Sequence, residues 1–159
     1  MANPVVNGAF IQCSFASSQP PGVPMPGPFP ATATALPPSA VPNSISILPT
    51  VTIKFGGQPV ATSMDNKVGV NIKPFQMSCK SPANPANATA SASATAAAMG
   101  TPMTVVTPCV PVFPGPWAPG CPTCLAGNFP LLNNTSKLMC SYGGVISIQM
   151  TPAILINVP

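Results

Sequence analysis

Twenty-five of the 159 residues are proline. Each one fixes a backbone angle and removes a hydrogen-bond donor, which excludes it from helix interiors and from the middle of a sheet. A chain punctuated in this way can fold only from short elements joined by fixed turns. The prolines crowd most closely in Pro20-Pro21-Gly22-Val23-Pro24-Met25-Pro26-Gly27-Pro28-Phe29-Pro30, so residues 17–42 read as an extended surface arm. Together with twelve glycines, this approaches the composition of a disordered chain. Yet 46% of the residues are hydrophobic, whereas disordered chains are poor in apolar residues and rich in charge. The expectation is one folded domain over 1–159, mainly β, long enough to bury a core.

Patterning points the same way. Val5-Val6-Asn7-Gly8-Ala9-Phe10-Ile11-Gln12-Cys13 reads as strand, Asn-Gly turn, strand, because Asn-Gly tolerates positive φ at both turn positions. Polar and apolar residues alternate through Val51, Ile53 and Phe55, and again through Val68, Val70 and Ile72, which predicts strands. Further short strands are expected at 45–48, 59–62, 104–107, 110–113, 124–126, 145–150 and 153–158, for about eight to ten in all. Residues 84–99 are the one helix candidate, capped by Asn87 or Thr89 and ended by Gly100 and Pro102. With no broad apolar stripe, that helix belongs on the surface. The run from Lys54 to Lys67 and the run from Cys124 to Lys137 share an order of strand, glycine turn, proline-started strand and polar turn, which suggests a duplicated hairpin unit.

Charge excludes whole classes of function. Only 4% of residues are charged: five lysines, no arginine, no histidine and a single acid, Asp65. Lys54, Lys67, Lys73, Lys80 and Lys137 are spread along the chain, never as the basic stripe that nucleic acid requires, and read as surface-solvating residues. Without histidine or paired carboxylates, general acid–base catalysis has no agents. No phosphate loop or nucleophile elbow is present, so the chain reads as a non-enzyme. No apolar run approaches the length of about 20 residues that crosses a bilayer, and residues 1–13 lack the pattern of a signal peptide. Synthesis in the cytoplasm is the expectation, and the glycosylation patterns at Asn87 and Asn133 are read as chance.

The chemistry that remains is sulfur. The six cysteines are Cys13, Cys79, Cys109, Cys121, Cys124 and Cys140. Four thiolates suit tetrahedral zinc, and in a reducing compartment metal ligation or free thiols are favoured over disulfides. Cys121-Pro122-Thr123-Cys124 has the spacing of a zinc knuckle or a redox dithiol, but no second such pair accompanies it. The other four stand far apart, each beside a strand end or a proline turn. A metal joining them would tie together segments more than a hundred residues apart. As small buried hydrophobes they would need no ligand at all, and the residues alone leave both readings open.

Several segments resemble the PAAR-like family: Val5-Val6-Asn7-Gly8-Ala9 with Gln12-Cys13-Ser14-Phe15, Ala61-Thr62-Ser63-Met64-Asp65-Asn66-Lys67, Asn71-Ile72-Lys73-Pro74-Phe75, Ala97-Ala98-Met99-Gly100, Pro108-Cys109-Val110-Pro111, and Ser136-Lys137-Leu138-Met139-Cys140-Ser141-Tyr142-Gly143-Gly144-Val145-Ile146. The resemblance covers nearly the whole chain apart from the proline-rich arm. It implies a cone-shaped β domain that caps the trimeric, VgrG-type β-helical spike of a contractile injection system, such as a type VI secretion system or phage-tail-like particle. It further implies membrane puncture, possible effector cargo, a zinc ion near the vertex, and delivery out of the cell in an assembled particle. The family typically holds zinc with histidines and a cysteine. Without histidine, the ligands implied here are Cys13, Cys79, Cys109 and Cys140, with Cys121 and Cys124 in reserve. The alternative is a structural or adhesive module stapled by disulfides.

Overall fold

The computed structural model describes residues 2–17, 21–27, 43–44, 53–73, 75 and 77–152. Among these the chain is mainly β, with thirteen strands and one helix. In order they are β1 (Phe10–Cys13), β2 (Ala16–Ser17), β3 (Met25–Pro26), β4 (Asn43–Ser44), β5 (Lys54–Phe55), β6 (Gln58–Pro59), β7 (Ser78–Cys79), α1 (Pro85–Ala97), β8 (Met103–Thr104), β9 (Thr107–Pro108), β10 (Cys121–Ala126), β11 (Phe129–Leu131), β12 (Lys137–Met139) and β13 (Val145–Met150). Eight of the strands are two residues long, the consequence of proline and glycine ending each ladder almost as soon as it starts.

The largest sheet has the order β12-β13-β1-β4, and a second has the order β2-β7-β9. In the first, Cys13 faces Ile146 and Ile11 faces Ile148 across the β1–β13 pair, while Leu138 faces Ile146 across β12–β13. Alternate residues therefore point into one core, which gathers Val5, Ile11, Ile72, Phe75, Trp117, Leu132, Leu138 and Ile146 with four of the cysteines. The two hairpins β5–β6 and β10–β11 close a smaller cluster of Val6, Val60, Cys121, Ala126 and Leu131. A bridge between Thr62 and Leu131 joins the two hairpin segments, so the internal echo in the sequence corresponds to two hairpins set against each other.

Several local expectations are corrected. The Asn7-Gly8 turn forms, with Gly8 at φ +85°, but its flanks do not pair as a hairpin. Val6 bridges Val60, Val5 donates to the Leu132 carbonyl, and β1 pairs with β13. The long-range partners bury both valines, and a local hairpin would leave that core unfilled. The alternating stretch 68–72 is a turn, because the Lys67 carbonyl accepts from the N–H groups of Val70, Asn71 and Ile72; Val68 and Val70 are exposed and only Ile72 is buried. Residues 110–113 form no strand, with Val110 and Val112 exposed. The helix is capped by Asn84, whose side chain accepts from the Ala86 N–H. Lys80 is buried, whereas the other four lysines are exposed. Within the arm, Met25 and Pro26 pair with Thr104 and Met103 as a two-stranded ladder, where proline's missing donor is tolerated. The strands expected at 45–48 and 153–158 and most of the arm lie outside the described residues.

The single acid is an internal brace. The Asp65 carboxylate accepts from the Thr62 N–H (2.7 Å) and hydroxyl (3.0 Å) and from the Asn71 side-chain amide (3.0 Å). Its carbonyl accepts from the indole N–H of buried Trp117 at 3.0 Å, and the Trp117 N–H donates to Ser63. The turn at 62–71 is thereby held closed and fastened to the segment around Trp117. Hydrogen bonds to a buried charge are worth more than neutral ones, and the donors left behind would be stranded. Asp65→Ala is expected to lower stability by about 3 kcal/mol, read by denaturant unfolding with Trp117, the only tryptophan, as the fluorescent reporter. A change below about 0.5 kcal/mol, the level of an ordinary surface substitution, would show that the turn closes without it.

Candidate metal centre

A short turn carries the chain from the first main sheet into the second. Cys13 is the last residue of β1, and after Ser14 and Phe15 the chain re-enters a sheet as β2. Ser14 pins this turn twice: its N–H donates to the Val145 carbonyl at 2.9 Å, and its hydroxyl accepts from the Val145 N–H at 3.0 Å. The Phe15 carbonyl accepts from the Lys80 N–H at 2.9 Å. The first sheet therefore delivers Cys13 and the second delivers Cys79, which faces Ala16 on one side and Thr107 on the other. Cys109 follows β9, and its N–H donates to the Met77 carbonyl at 2.8 Å. Cys140 follows β12 and begins a tight loop, its N–H donating to Gly144 and its carbonyl accepting from Gly143.

All four of these cysteines are buried and share the main core. Cys121 lies in the smaller cluster, with Cys124 partly buried against it. The fold thus separates the six thiols into a group of four and a pair. Gly144 shows how closely two of them are seated: a Cβ there would stand 2.9 Å from the Cys13 sulfur and 3.7 Å from the Cys140 Cβ. Only glycine leaves room for that sulfur.

The protons on this cluster are unevenly held. A hydrogen bond from the Cys109 thiol lowers Cys79 to about 6, against the opposing effect of burial. Cys109 itself is raised strongly, first by giving that bond and then by burial and the nearby thiols. Burial pushes Cys13 up to about 11, opposed by the Phe15 backbone and assisted by Cys79 and Cys140. Of the four, Cys79 is the thiol held below its ordinary value, and Cys109 the one that gives it a hydrogen bond. Among the described residues, no group of three or more histidine, cysteine or acidic side chains is arranged to hold a metal ion as it stands. The donor set nevertheless fits zinc chemically: four soft sulfurs from four segments in one buried core, one of them held below the ordinary thiol value.

One residue supporting this cluster was not singled out for the role by its sequence. Asn87, expected only as a possible helix cap, is fully buried one turn into α1. Its amide donates to the Cys79 carbonyl (2.6 Å) and the Ser81 carbonyl (2.9 Å), and its oxygen accepts from the Thr107 N–H (2.8 Å) and hydroxyl (2.6 Å). The surface helix thereby locks β7 to β9, the strands that carry Cys79 and lead to Cys109. An asparagine near the start of an alanine-rich helix reads as a cap, and only the tertiary contacts distinguish a brace from a cap.

Residues 5–152 match a family model described as a domain of unknown function, DUF4280. No curated protein and no solved structure matches the chain.

Asn87→Ala strands two carbonyls and two donors and is expected to cost about 3 kcal/mol, a drop of roughly 10 °C in Tm for a chain of this size; Asn87→Asp keeps the acceptor and should fall between. Equal melting of wild type and Asn87→Ala would remove Asn87 as a brace. A second expectation concerns pH. Because the folded state lowers Cys79, its contribution to stability is present above the unfolded thiol value and is lost as pH falls through about 6. In metal-free protein, thiolate ultraviolet absorbance should fall through that pH, and the step should vanish in Cys79→Ser. A step surviving in that variant would place the thiolate elsewhere.

Proposed function

The chain belongs to the DUF4280 family, and on that premise we propose that it is a non-enzymatic, metal-stabilised tip of PAAR-like type, capping a trimeric VgrG-type β-helical spike of a contractile injection system. The observation that carries the reading is the convergence of Cys13, Cys79, Cys109 and Cys140 from four separate segments into one buried cluster. One zinc ion held by these four sulfurs would cross-link both main sheets. Binding a metal releases thiol protons and makes metal affinity part of folding stability. Gly144 leaves space for the Cys13 sulfur, and Asn87 ties the strand that bears Cys79 to the strand that leads to Cys109.

A near-absence of charge supports the same reading. With five lysines and one acid in the whole chain, and that acid internal, insertion of the tip into lipid entails little desolvation of ions. No described helix is long and apolar enough to cross a membrane, as suits a particle that touches a target bilayer transiently. Effector cargo carried at the tip is part of the proposal, as is assembly in the cytoplasm followed by delivery outside the producing cell. The catalytic groups that would favour an enzyme are missing from the sequence.

Two measurements test the proposal. Elemental analysis of protein purified without chelator should find about one zinc per chain, the loading of a single four-thiolate site. Cys13→Ser and Cys140→Ser should lose it, while Cys121→Ser and Cys124→Ser keep it. Mixed with its trimeric spike partner, the zinc-loaded protein should form a complex of one tip per trimer. Absence of zinc together with disulfides among the four core cysteines would replace the metal reading with a disulfide-stapled structural or adhesive module. Zinc binding without any complex would leave a metal-stabilised domain and overturn its assignment to a spike.

A further inference from the structure

Cys121 and Cys124 lie in the smaller apolar cluster, apart from the four cysteines of the main core. Their strand departs from regular pairing at this point. Cys121 faces Leu131, yet the next paired residue, Leu125, faces Pro130. Pro122, Thr123 and Cys124 thus occupy a space in which β11 advances by one residue, and the chain bulges outward. The start of the bulge is seated firmly, since a Cβ on Gly120 would approach the Pro130 Cβ to 2.6 Å. Its end returns to the ladder at Ala126, which faces Phe129. The bulge folds the two sulfurs onto the same hydroxyl: Thr123 Oγ1 is 3.6 Å from the Cys121 sulfur and 4.0 Å from the Cys124 sulfur.

The two sulfurs differ in access. Cys121 is fully buried, whereas Cys124 is half-buried between the exposed Thr123 and Leu125. Burial pushes the Cys121 thiol up, but hydrogen bonds from Cys124, Thr123 and their backbone outweigh it and leave Cys121 below the ordinary thiol value. Cys124 is raised, first by giving its proton to that bond and then by burial.

We propose that the β10 bulge is a reversible dithiol–disulfide clasp, closed by small-molecule disulfides such as glutathione disulfide. Cys124, the accessible sulfur, attacks one sulfur of the incoming disulfide after losing its proton. The S–S bond of the reagent breaks, and the first small thiol leaves carrying that proton. The inner sulfur, Cys121, then attacks Cys124 in the mixed disulfide, and the second small thiol leaves with the Cys121 proton. One external disulfide is reduced to two thiols, and two protein thiols are oxidised to one disulfide. The difference in exposure assigns the order, because Cys124 meets solvent while Cys121 is buried at the start of the bulge. The clasp is independent of the metal reading, since it uses neither its ligands nor its cluster.

The test is redox titration of the full-length protein in mixtures of reduced and oxidised glutathione, followed by alkylation in denaturant and peptide mass mapping. The peptide holding Cys121 and Cys124 should pass from two alkylated thiols to none, with the mass loss of two hydrogens. Cys13, Cys79, Cys109 and Cys140 should remain alkylatable over the same range. Cys121→Ser should stop at one glutathione on Cys124, and Cys124→Ser should resist modification at position 121. Two alkylatable thiols in the wild-type peptide at a strongly oxidising ratio would overturn the clasp, as would disulfides linking these cysteines to the other four. Because the wild-type measurement decides the matter alone, misfolding of either variant leaves the test intact.

Discussion

The structure depends on the two-residue turn between Cys13 and Ala16. A two-stranded ladder is marginal in water, and stability requires three or more strands sharing an apolar face. Here most strands are two residues long, and the four-stranded and three-stranded sheets bury their apolar residues in a core they share. At the turn, Ser14 is held by Val145 of the first sheet and Phe15 by Lys80 beside the second. The two sheets are thereby joined through backbone hydrogen bonds, and their inward faces complete a single core. Beyond the turn, the Ser81 hydroxyl donates to the Tyr142 carbonyl, a second link between the segments that leave β7 and β12.

Short ladders also leave many backbone groups to be satisfied by other means. In a chain almost without charge, neutral side chains and one carboxylate do this work at a few points. Asp65 gathers the turn at 62–71, and Asn87 binds β7 to β9. Ser136 closes the turn that follows Asn133 and donates to the Pro119 carbonyl at 2.6 Å. Among the described residues no buried side-chain nitrogen or oxygen lacks a partner. Complete satisfaction matters because a buried polar group without a partner costs more than a formed hydrogen bond returns. The same completeness makes these sites sensitive: each brace links segments distant in sequence, so one deletion loosens several ladders together.

The parts of this architecture legible in the sequence were those encoded locally. Proline spacing implies short strands, the strand expected at 145–150 is β13, and the alanine-rich segment is the helix. Where the reading failed, a distant partner had changed the outcome. Val5 and Val6 carry strand character and flank a true turn, but their partners are Leu132 and Val60. Val68, Val70 and Ile72 alternate as a strand would, but three N–H groups converge on the Lys67 carbonyl. The grouping of four cysteines apart from two was not legible in the spacing, because sequence distance alone cannot show that Cys13 and Cys140 share a core. The brace at Asn87 was hidden for a different reason. An amide that satisfies four groups across two strands has the same local signature as one that caps a helix.

Placing the six sulfurs in two clusters also gives one kind of atom two kinds of chemistry. In the main core, burial holds the proton on Cys13 and the hydrogen bond to Cys79 holds it on Cys109, while Cys79 is lowered by that same bond. A small oxidant meets closed packing there, whereas a divalent cation, if admitted, would replace the protons the sulfurs now share. In the smaller cluster the inner sulfur is equally buried, but its partner sits on an outward bulge and meets solvent. That single difference in access favours exchange with a soluble disulfide over capture of an ion by four ligands. A strand bulge of three residues is therefore enough to give Cys121 and Cys124 a fate separate from the other thiols, although all six belong to one fold.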